Sequence, residues 1–432
     1  MQSHKGSWPA VLWSAGYFFF LLTSYYLLRP VREAMGIERG ADKLPWLMTG
    51  TMAAMFFVNP AFAALVSRFP RRRFIPITYR CFALNLIGFY VLFRLVPKQQ
   101  IVWLGYAFYV WLSVFNLFVV SVFWGFMADM FGHERGQRIF GYMAVGGTLG
   151  AISGAWITGT LADGISLPGG YHVRVEPGTL MLIAVVPLEL AVQCMRQTAR
   201  HFGLVPPGAS GRDGSSVGTG EPGPDPLAGL ALIVRSPLLL LICLYMLCYA
   251  VTSTFLYIEQ GHIVGQTFAD KAARTAAFAR IDFWVNVLTL TTQLLLTGSI
   301  ISTLGIRGTL TILPILTIIG FVALAASPVF GVMLAVQVAR RGLHYAVDRP
   351  ARELLFAVLG ADEKYKSKPF IDTFVFRGGD LIGGWAPLLL KHVAIATSFV
   401  TIPVSMVWAA TGLLIGVLHA PLIRKRGIAA HT

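Results

Sequence analysis

Apolar residues occur along this chain in long runs broken by short polar segments, without the strict alternation of a half-buried strand. Twelve runs are long enough for a helix to cross ~30 Å of hydrocarbon. They fall at approximately 8–28, 44–66, 74–96, 101–131, 139–161, 178–197, 236–258, 281–304, 308–327, 328–359, 370–390 and 394–420. Helices are expected because an isolated span must satisfy its own backbone hydrogen bonds in lipid. A β-barrel would need short alternating segments instead. The fourth and tenth runs exceed the required length and are expected to tilt or to project from the bilayer. The one long non-apolar stretch, 198–228, is dominated by Gly, Pro and Ser and reads as a flexible cytoplasmic linker. It separates an expected N-terminal six-helix bundle, 1–197, from a C-terminal one, 229–432.

Composition agrees with a polytopic all-α membrane protein. The 432 residues are 56% hydrophobic and 13% charged, whereas soluble domains carry about 25% charged residues. That excludes ordinary cytosolic enzymes, disordered chains and secreted disulfide scaffolds. Cys81, Cys194, Cys243 and Cys248 lie inside apolar runs without metal or disulfide spacing. The net charge of +15 is first a topology signal. Lys and Arg are concentrated in the alternate segments that hold Lys5, Arg68, Arg71, Arg72, Arg135, Arg138, Arg307 and Arg424, which places both termini in the cytoplasm. Nucleic acid is therefore not an expected partner; the lipid bilayer is. The opening residues run straight into the first span with no small-residue cleavage site, so that span reads as retained. No His-Glu-x-x-His, nucleophile elbow, Walker loop or Cys/His cluster occurs, so neither an enzyme nor a bound metal or cofactor is expected.

Ionisable residues inside spans are costly and mark functional positions or structural pairs. The tenth span carries most of them. Gln337, Arg341, Tyr345 and Arg349 share one helical stripe; Arg340, His344 and Asp348 form the adjacent one. Either these side chains line an aqueous cavity, where guanidinium forks clamp carboxylate or phosphate, or Asp348 pairs with an arginine to hold the helix. Arg29, Arg32 and Glu33 close the first span as an interfacial collar or local salt bridge. Arg80 can snorkel inward. Glu189 is a coupling carboxylate or, preferably, a group paired to a neighbouring helix. Asp282 with Asn286, and Arg377 with Asp380, read as helix-to-helix glue or intrahelical bridges. Asp129 with Arg138 reads as part of a cytoplasmic gate. Gly146, Gly147 and Gly150 read as a close helix contact, since no strand precedes them and no Lys-Ser/Thr follows.

The two halves share landmarks. AALVSRFPRR, from Ala63 to Arg72, aligns with GSIISTLGIR, from Gly298 to Arg307, pairing Ser67 with Ser302, Pro70 with Gly305 and Arg72 with Arg307. Gly146-Gly147 similarly matches Gly378-Gly379. Parallel repeats of this kind mark one class of secondary transporter. The loop resembles the major facilitator signature, Gly-x-Leu-x-Asp-Arg-x-Gly-Arg-Arg, with Arg68, Arg71 and Arg72 retained, Ser67 in place of the aspartate and Pro70 in place of the glycine. YYLLRPVREAMG, from Tyr25 to Gly36, and SVFWGFMADMF, from Ser121 to Phe131, look like bacterial relatives of the ATP/ADP (nucleotide) antiporters. Where those carry a carboxylate before the second segment, this chain has Ser113 and Asn116.

The resemblance implies two six-helix bundles rocking about a central site by alternating access, in a monomer of the bacterial inner membrane. It implies an anionic solute, a nucleotide or another phosphorylated or carboxylated metabolite, contacted by Arg29, Arg32, Gln337, Arg340, Arg341, His344 and Tyr345. Arg68, Arg71, Arg72, Asp129, Arg138, Gly305 and Arg307 would serve gating; Glu33, Glu189 and Asp348 are the candidate coupling acids. A proton-coupled exporter of organic anions or drugs, a lipid flippase and a non-transporting membrane sensor are the alternatives.

Overall fold

The structure, a computed structural model, describes residues 7–68, 71–97, 99–166, 172–201, 232–357, 359, 363, 367–368, 370–392 and 397–425. In chain order the helices are α1 (Ser7–Gly36), α2 (Leu44–Arg68), α3 (Arg71–Leu95), α4 (Ile101–Asp163), α5 (Thr179–His201), α6 (Pro237–Thr267), α7 (Lys271–Leu295), α8 (Thr297–Ala326), α9 (Phe330–Leu343), α10 (Arg349–Ala357), α11 (Phe376–His392) and α12 (Thr397–Lys425). A π turn, His344–Asp348, joins α9 to α10, and a second, Ile371–Val375, leads into α11. Strands β1 (Ile165–Ser166) and β2 (His172–Val173) form one small antiparallel ladder, Ile165 opposite Val173. Among the described residues seven helices are long and apolar enough to cross a membrane: those spanning Trp8–Gly36, Phe74–Leu95, Ile101–Phe131, Thr179–Arg200, Pro237–Thr267, Thr297–Ala326 and Phe399–Pro421. Each of the twelve expected runs falls on a helical segment. The side chains of Arg71, Arg72 and Arg138, and most of the linker expected at 198–228, lie outside the described residues.

Two runs differ in detail. The eighth was expected at 281–304, but α7 starts at Lys271 and stops at Leu295. Its polar-looking beginning is stabilised by an alanine face, with Ala272, Ala276 and Ala279 buried. The apolar run continues into the first turns of α8, which breaks at Gly305 (φ 61°), a left-handed conformation that glycine adopts without steric cost. The first run also outlasts its expected end, since α1 carries Arg29, Arg32 and Glu33 inside the helix.

The chain divides into two compact units. The first comprises Met1–Arg39, Thr49–Glu221 and Phe268–Asn286; the second comprises Gly40–Met48, Pro222–Thr267 and Val287–Thr432.

In the first unit α1 is the hub, packing on α4 and α5. The 63 residues of α4 would extend ~95 Å if straight, but its contacts show two legs. Ser113 meets Arg32 and Phe123 stacks on Phe18 at 4.2 Å, so the first leg runs antiparallel to α1. Gly146, Gly150 and Gly154 meet the carbonyls of Ala15, Phe19 and Thr23 in the same order, so the second leg runs parallel to it. The axis therefore reverses between Phe123 and Gly147, both of which touch Phe18. A Cβ at Gly146 or Gly154 would lie 2.6 Å from those oxygens, so only glycine permits this approach. Aromatic packing of Tyr17, Phe18, Phe123 and Phe126, with the Tyr17 and Tyr79 hydroxyls 2.6 Å apart, fills the core.

In the second unit α6 packs on α11 and α12, and α8 packs on α12. Gly379 and Gly383 let α11 lie against the backbone of α6 at Leu247 and Val251, and Gly416 of α12 lies on Arg307. Leu239, Tyr245, Leu310, Leu355 and Trp408 are fully buried at its centre.

Candidate functional site

The tenth run turns on a proline. Pro350 has no N–H, so the carbonyl four residues earlier, on Ala346, loses its helical partner. The chain responds with the π turn His344–Asp348, in which the Arg349 N–H reaches the His344 carbonyl. Side chains satisfy the displaced carbonyls: Thr297 Oγ1 donates to Ala346 O at 2.7 Å and Gln293 Nε2 donates to Tyr345 O at 3.2 Å. Single π turns inside α-helices occur frequently at functional sites.

On either side of this turn the two expected stripes separate by environment. Arg340, His344 and Asp348 are buried, while Arg341 is half-buried and Tyr345 and Arg349 are exposed. Gln337 departs from its stripe: it is buried, and its Nε2 lies 3.5 Å from the Leu256 carbonyl.

Asp348 gathers the inner stripe. Tyr245 donates its hydroxyl to Oδ1 at 2.5 Å, His344 Nδ1 lies 3.1 Å from Oδ2, and Arg352 Nε lies 3.3 Å from the same oxygen. An ionised carboxylate only accepts, so this geometry requires the His344 proton on Nδ1. Tyr249 stacks on the His344 ring at 4.2 Å.

Arg340, 1% exposed, is different. Its Nε donates to Thr317 Oγ1 at 3.0 Å, and Nη2 donates to Thr252 Oγ1 at 2.9 Å and towards the Tyr249 carbonyl at 3.4 Å. The guanidinium lies 5.4 Å from the Tyr249 ring and 5.9 Å from that of Trp408. Among the described residues no carboxylate comes within ion-pair distance of it. Hydroxyls, a carbonyl and aromatic faces solvate this charge. Among the described residues the acids near Arg340, Arg349 and Arg352 are Asp348, shared by His344 and Arg352, Glu353, paired with Lys368 at 2.5 Å, and Asp372, whose carboxyl feels Arg352 and Arg349. The segment carries excess positive charge.

The first unit holds a more balanced cluster. Arg29 Nη1 donates to Asp282 Oδ1 at 2.9 Å and lies over Tyr26. Arg32 donates to Glu33 at 2.6 Å and to Ser113 Oγ at 3.0 Å, with its guanidinium 4.5 Å from the Tyr109 ring. Further pairs in the same unit surround the beginning of α7: Lys271 with Glu38 at 3.4 Å, Arg174 with Asp270 at 2.7 Å, and Arg280 with Asp163. Glu189 is held by Arg80 through two bonds, of 3.1 and 2.8 Å, and receives Gln193. Of the expected gating residues, Arg68, Asp129 and Arg307 are exposed, and Gly305 forms the kink already described.

Sequence reasoning had not singled out Arg352, Thr317 or Trp408. Arg352 extends the Arg340–His344–Asp348 stripe by one more interval of four, a legible signal. Thr317 and Trp408 come from other helices and carry none.

No protein-family model matches this sequence, and no curated protein matches it. Solved structures do. A bacterial homologue of the human lysosomal transporter Spinster, inward-facing and unoccupied, is similar at TM-score 0.58 and 14% identity, over 98% of this chain and 97% of that one. The POT-family transporter PepTSo is similar at TM-score 0.58 and 13% identity, over 98% and 100%. The nucleoside transporter NupG is similar at TM-score 0.59 and 12% identity, over 96% and 99%. At such identity the likeness is one of fold. The chain is a multi-pass, all-α integral membrane protein with the major facilitator type of fold.

Proposed function

We propose that this protein is a secondary transporter that moves an anionic solute by alternating access, with both termini in the cytoplasm of a bacterial inner membrane. The observation that carries the anionic reading is the excess of guanidinium on the segment from Arg340 to Arg352, where Asp348 is already shared among Tyr245, His344 and Arg352. A buried cation in a membrane protein marks a functional position by default, and Arg340, held by hydroxyls and a carbonyl with no carboxylate at ion-pair distance among the described residues, leaves its net charge to be balanced by a mobile anion. Arg341 and Tyr345, on the accessible stripe, are assigned to the solute; Arg340, tied to three helices, sets the potential behind them. Arg29 and Arg32 take part only after exchanging Asp282 and Glu33 for the solute. Within this class the resemblance of YYLLRPVREAMG to the ATP/ADP antiporters favours a nucleotide, and exchange is the favoured mode.

Uptake of labelled ATP and ADP into proteoliposomes, with and without internal nucleotide, tests the reading. Counter-substrate should stimulate uptake at least tenfold; no uptake of either, alongside transport of a cationic or neutral solute, overturns it. One observation favours a second reading, proton coupling: His344, Asp348 and Tyr245 form a contiguous buried titratable group. In that case an imposed pH gradient drives transport, and Asp348→Asn uncouples it.

A further inference from the structure

An ion pair stands on the outer face of the first unit, where lipid is the expected neighbour. Arg80 and Glu189 have side chains 48% and 40% exposed. Arg80 is six residues into the span Phe74–Leu95, and Glu189 is at the centre of the span Thr179–Arg200. Both therefore lie within ~7 Å of mid-span at 1.5 Å per residue. Their surroundings are not those of a water-filled cavity. Ile77 and Leu84, one turn to either side of Arg80, are 67% and 68% exposed, and Val186, one turn before Glu189, is 60% exposed.

A lone lipid-facing arginine would snorkel towards the headgroups. Arg80 instead spends Nε and Nη2 on Glu189, whose Oε1 also accepts from Gln193 at 2.6 Å. The strip continues along α3 with Cys81 and Asn85, both exposed, and with Gly88, beside which a Cβ would meet nothing within 4 Å. Charges, an amide and small residues on one helix face are what membrane-embedded helix contacts use. Hydrocarbon has no partner to offer the unused lone pairs of Glu189 or the remaining donors of Arg80.

We propose that this α3–α5 face is a docking surface for a second copy of the same chain. Charge complementarity selects the occupant. Two copies inserted with the same topology are related by a twofold axis along the membrane normal, which preserves depth. The Arg80–Glu189 pair of one copy then meets the same pair of the other at the same height, and alternation of the four charges satisfies each one twice. The exposed aliphatic rim formed by Ile77, Leu84 and Val186 seals the contact, and Gly88 and Cys81 allow the two α3 helices to approach.

Cys81 lies on this strip and is exposed, whereas Cys194 and Cys248 are buried and Cys243 is partly so. Purified full-length protein in lipid vesicles, treated with copper phenanthroline, should yield a dimer adduct that disappears in Cys81→Ser. Fluorescently tagged protein at low protein-to-lipid ratio should bleach in two steps. The double substitution Arg80→Leu with Glu189→Leu removes both charges together and should raise the dissociation density at least tenfold. Leu84→Trp adds bulk at an exposed position that packs against little within the chain, and should do the same if the double variant fails to fold. Single bleaching steps with no Cys81 adduct overturn the proposal. So do dimers that survive both variants, or an adduct formed only with a different protein in native membranes.

Discussion

Thr297 donates its hydroxyl to the carbonyl of Ala346 at 2.7 Å, the carbonyl that Pro350 leaves without a backbone partner. A sequence feature on one helix is thus completed by a side chain at the start of another, and together they hold the π turn that separates α9 from α10. Thr297→Val removes the donor and keeps the shape. It should destabilise the protein by ~1–3 kcal/mol, the cost of a poorly satisfied buried polar group. Pro350→Ala restores an N–H that can reach Ala346, so the double variant should lose less than Thr297→Val alone. Thermal unfolding of the three variants in one detergent reads this coupling, and additive losses would contradict it.

Arg340 presents the opposite situation, a buried charge with no ionic partner among the described residues. Removing one charge of a buried pair is costly because the other is left uncompensated, and deleting Arg340 strands no such partner while ending the desolvation of its own charge. Arg340→Met should therefore leave the thermal unfolding midpoint unchanged or raised while lowering solute uptake at least tenfold. Arg340→Lys keeps the charge but loses the fork that reaches Thr317 and Thr252, and should recover only part of the uptake. A large drop in stability with Arg340→Met would mark the residue as structural cement.

The legible part of this fold was what local patterning carries. The long apolar runs gave the spans, the interval of four separated Arg340, His344 and Asp348 from Arg341 and Tyr345, and the glycines from Gly146 to Gly150 announced a close helix contact. The rest depended on distance along the chain. Nothing near Arg29 foretells Asp282, 253 residues away, and nothing near Glu189 foretells Arg80. The start of α7 reads as polar because KAARTAAFARID carries four charges, while its buried face is made mostly of small alanines with only Phe278 and Ile281 as large apolar residues. Pro350 was visible, but its effect, a π turn rather than a helix end, depends on Thr297 and Gln293 being at hand.

Asp348 is the anion on which Tyr245, His344 and Arg352 converge. Asp348→Asn removes the charge and leaves the partly buried Arg352 beside an amide, so it should cost ~3 kcal/mol, the lower end of the loss seen when one member of a buried pair is deleted, since Asp372 also lies near that guanidinium. Adding Arg352→Met removes the orphaned cation and should return more than half of that loss. A double variant no more stable than Asp348→Asn would show that Arg352 draws its counter-charge elsewhere.

Asp270 supplies a pH-dependent contribution at the turn between α6 and α7. Its Oδ1 accepts the N–H groups of Ala272 at 2.6 Å and Ala273 at 3.2 Å, capping α7, and its Oδ2 lies 2.7 Å from Arg174 Nη1. Partial burial works against the charge, but the Ala273 and Ala272 N–H groups and Arg174 outweigh it and hold the carboxyl below its ordinary range. A carboxyl depressed in the folded state stabilises the fold fully above its unfolded pKa of about 3.9, and the contribution is lost as pH falls through the lower folded value. Asp270→Ala should cost ~1 kcal/mol near pH 7 through loss of the cap. Its penalty should shrink progressively below pH 4. Unfolding midpoints of wild type and variant between pH 3 and pH 7 should therefore converge towards the acid end. Parallel curves across that range would mean that the carboxylate form is not what caps α7.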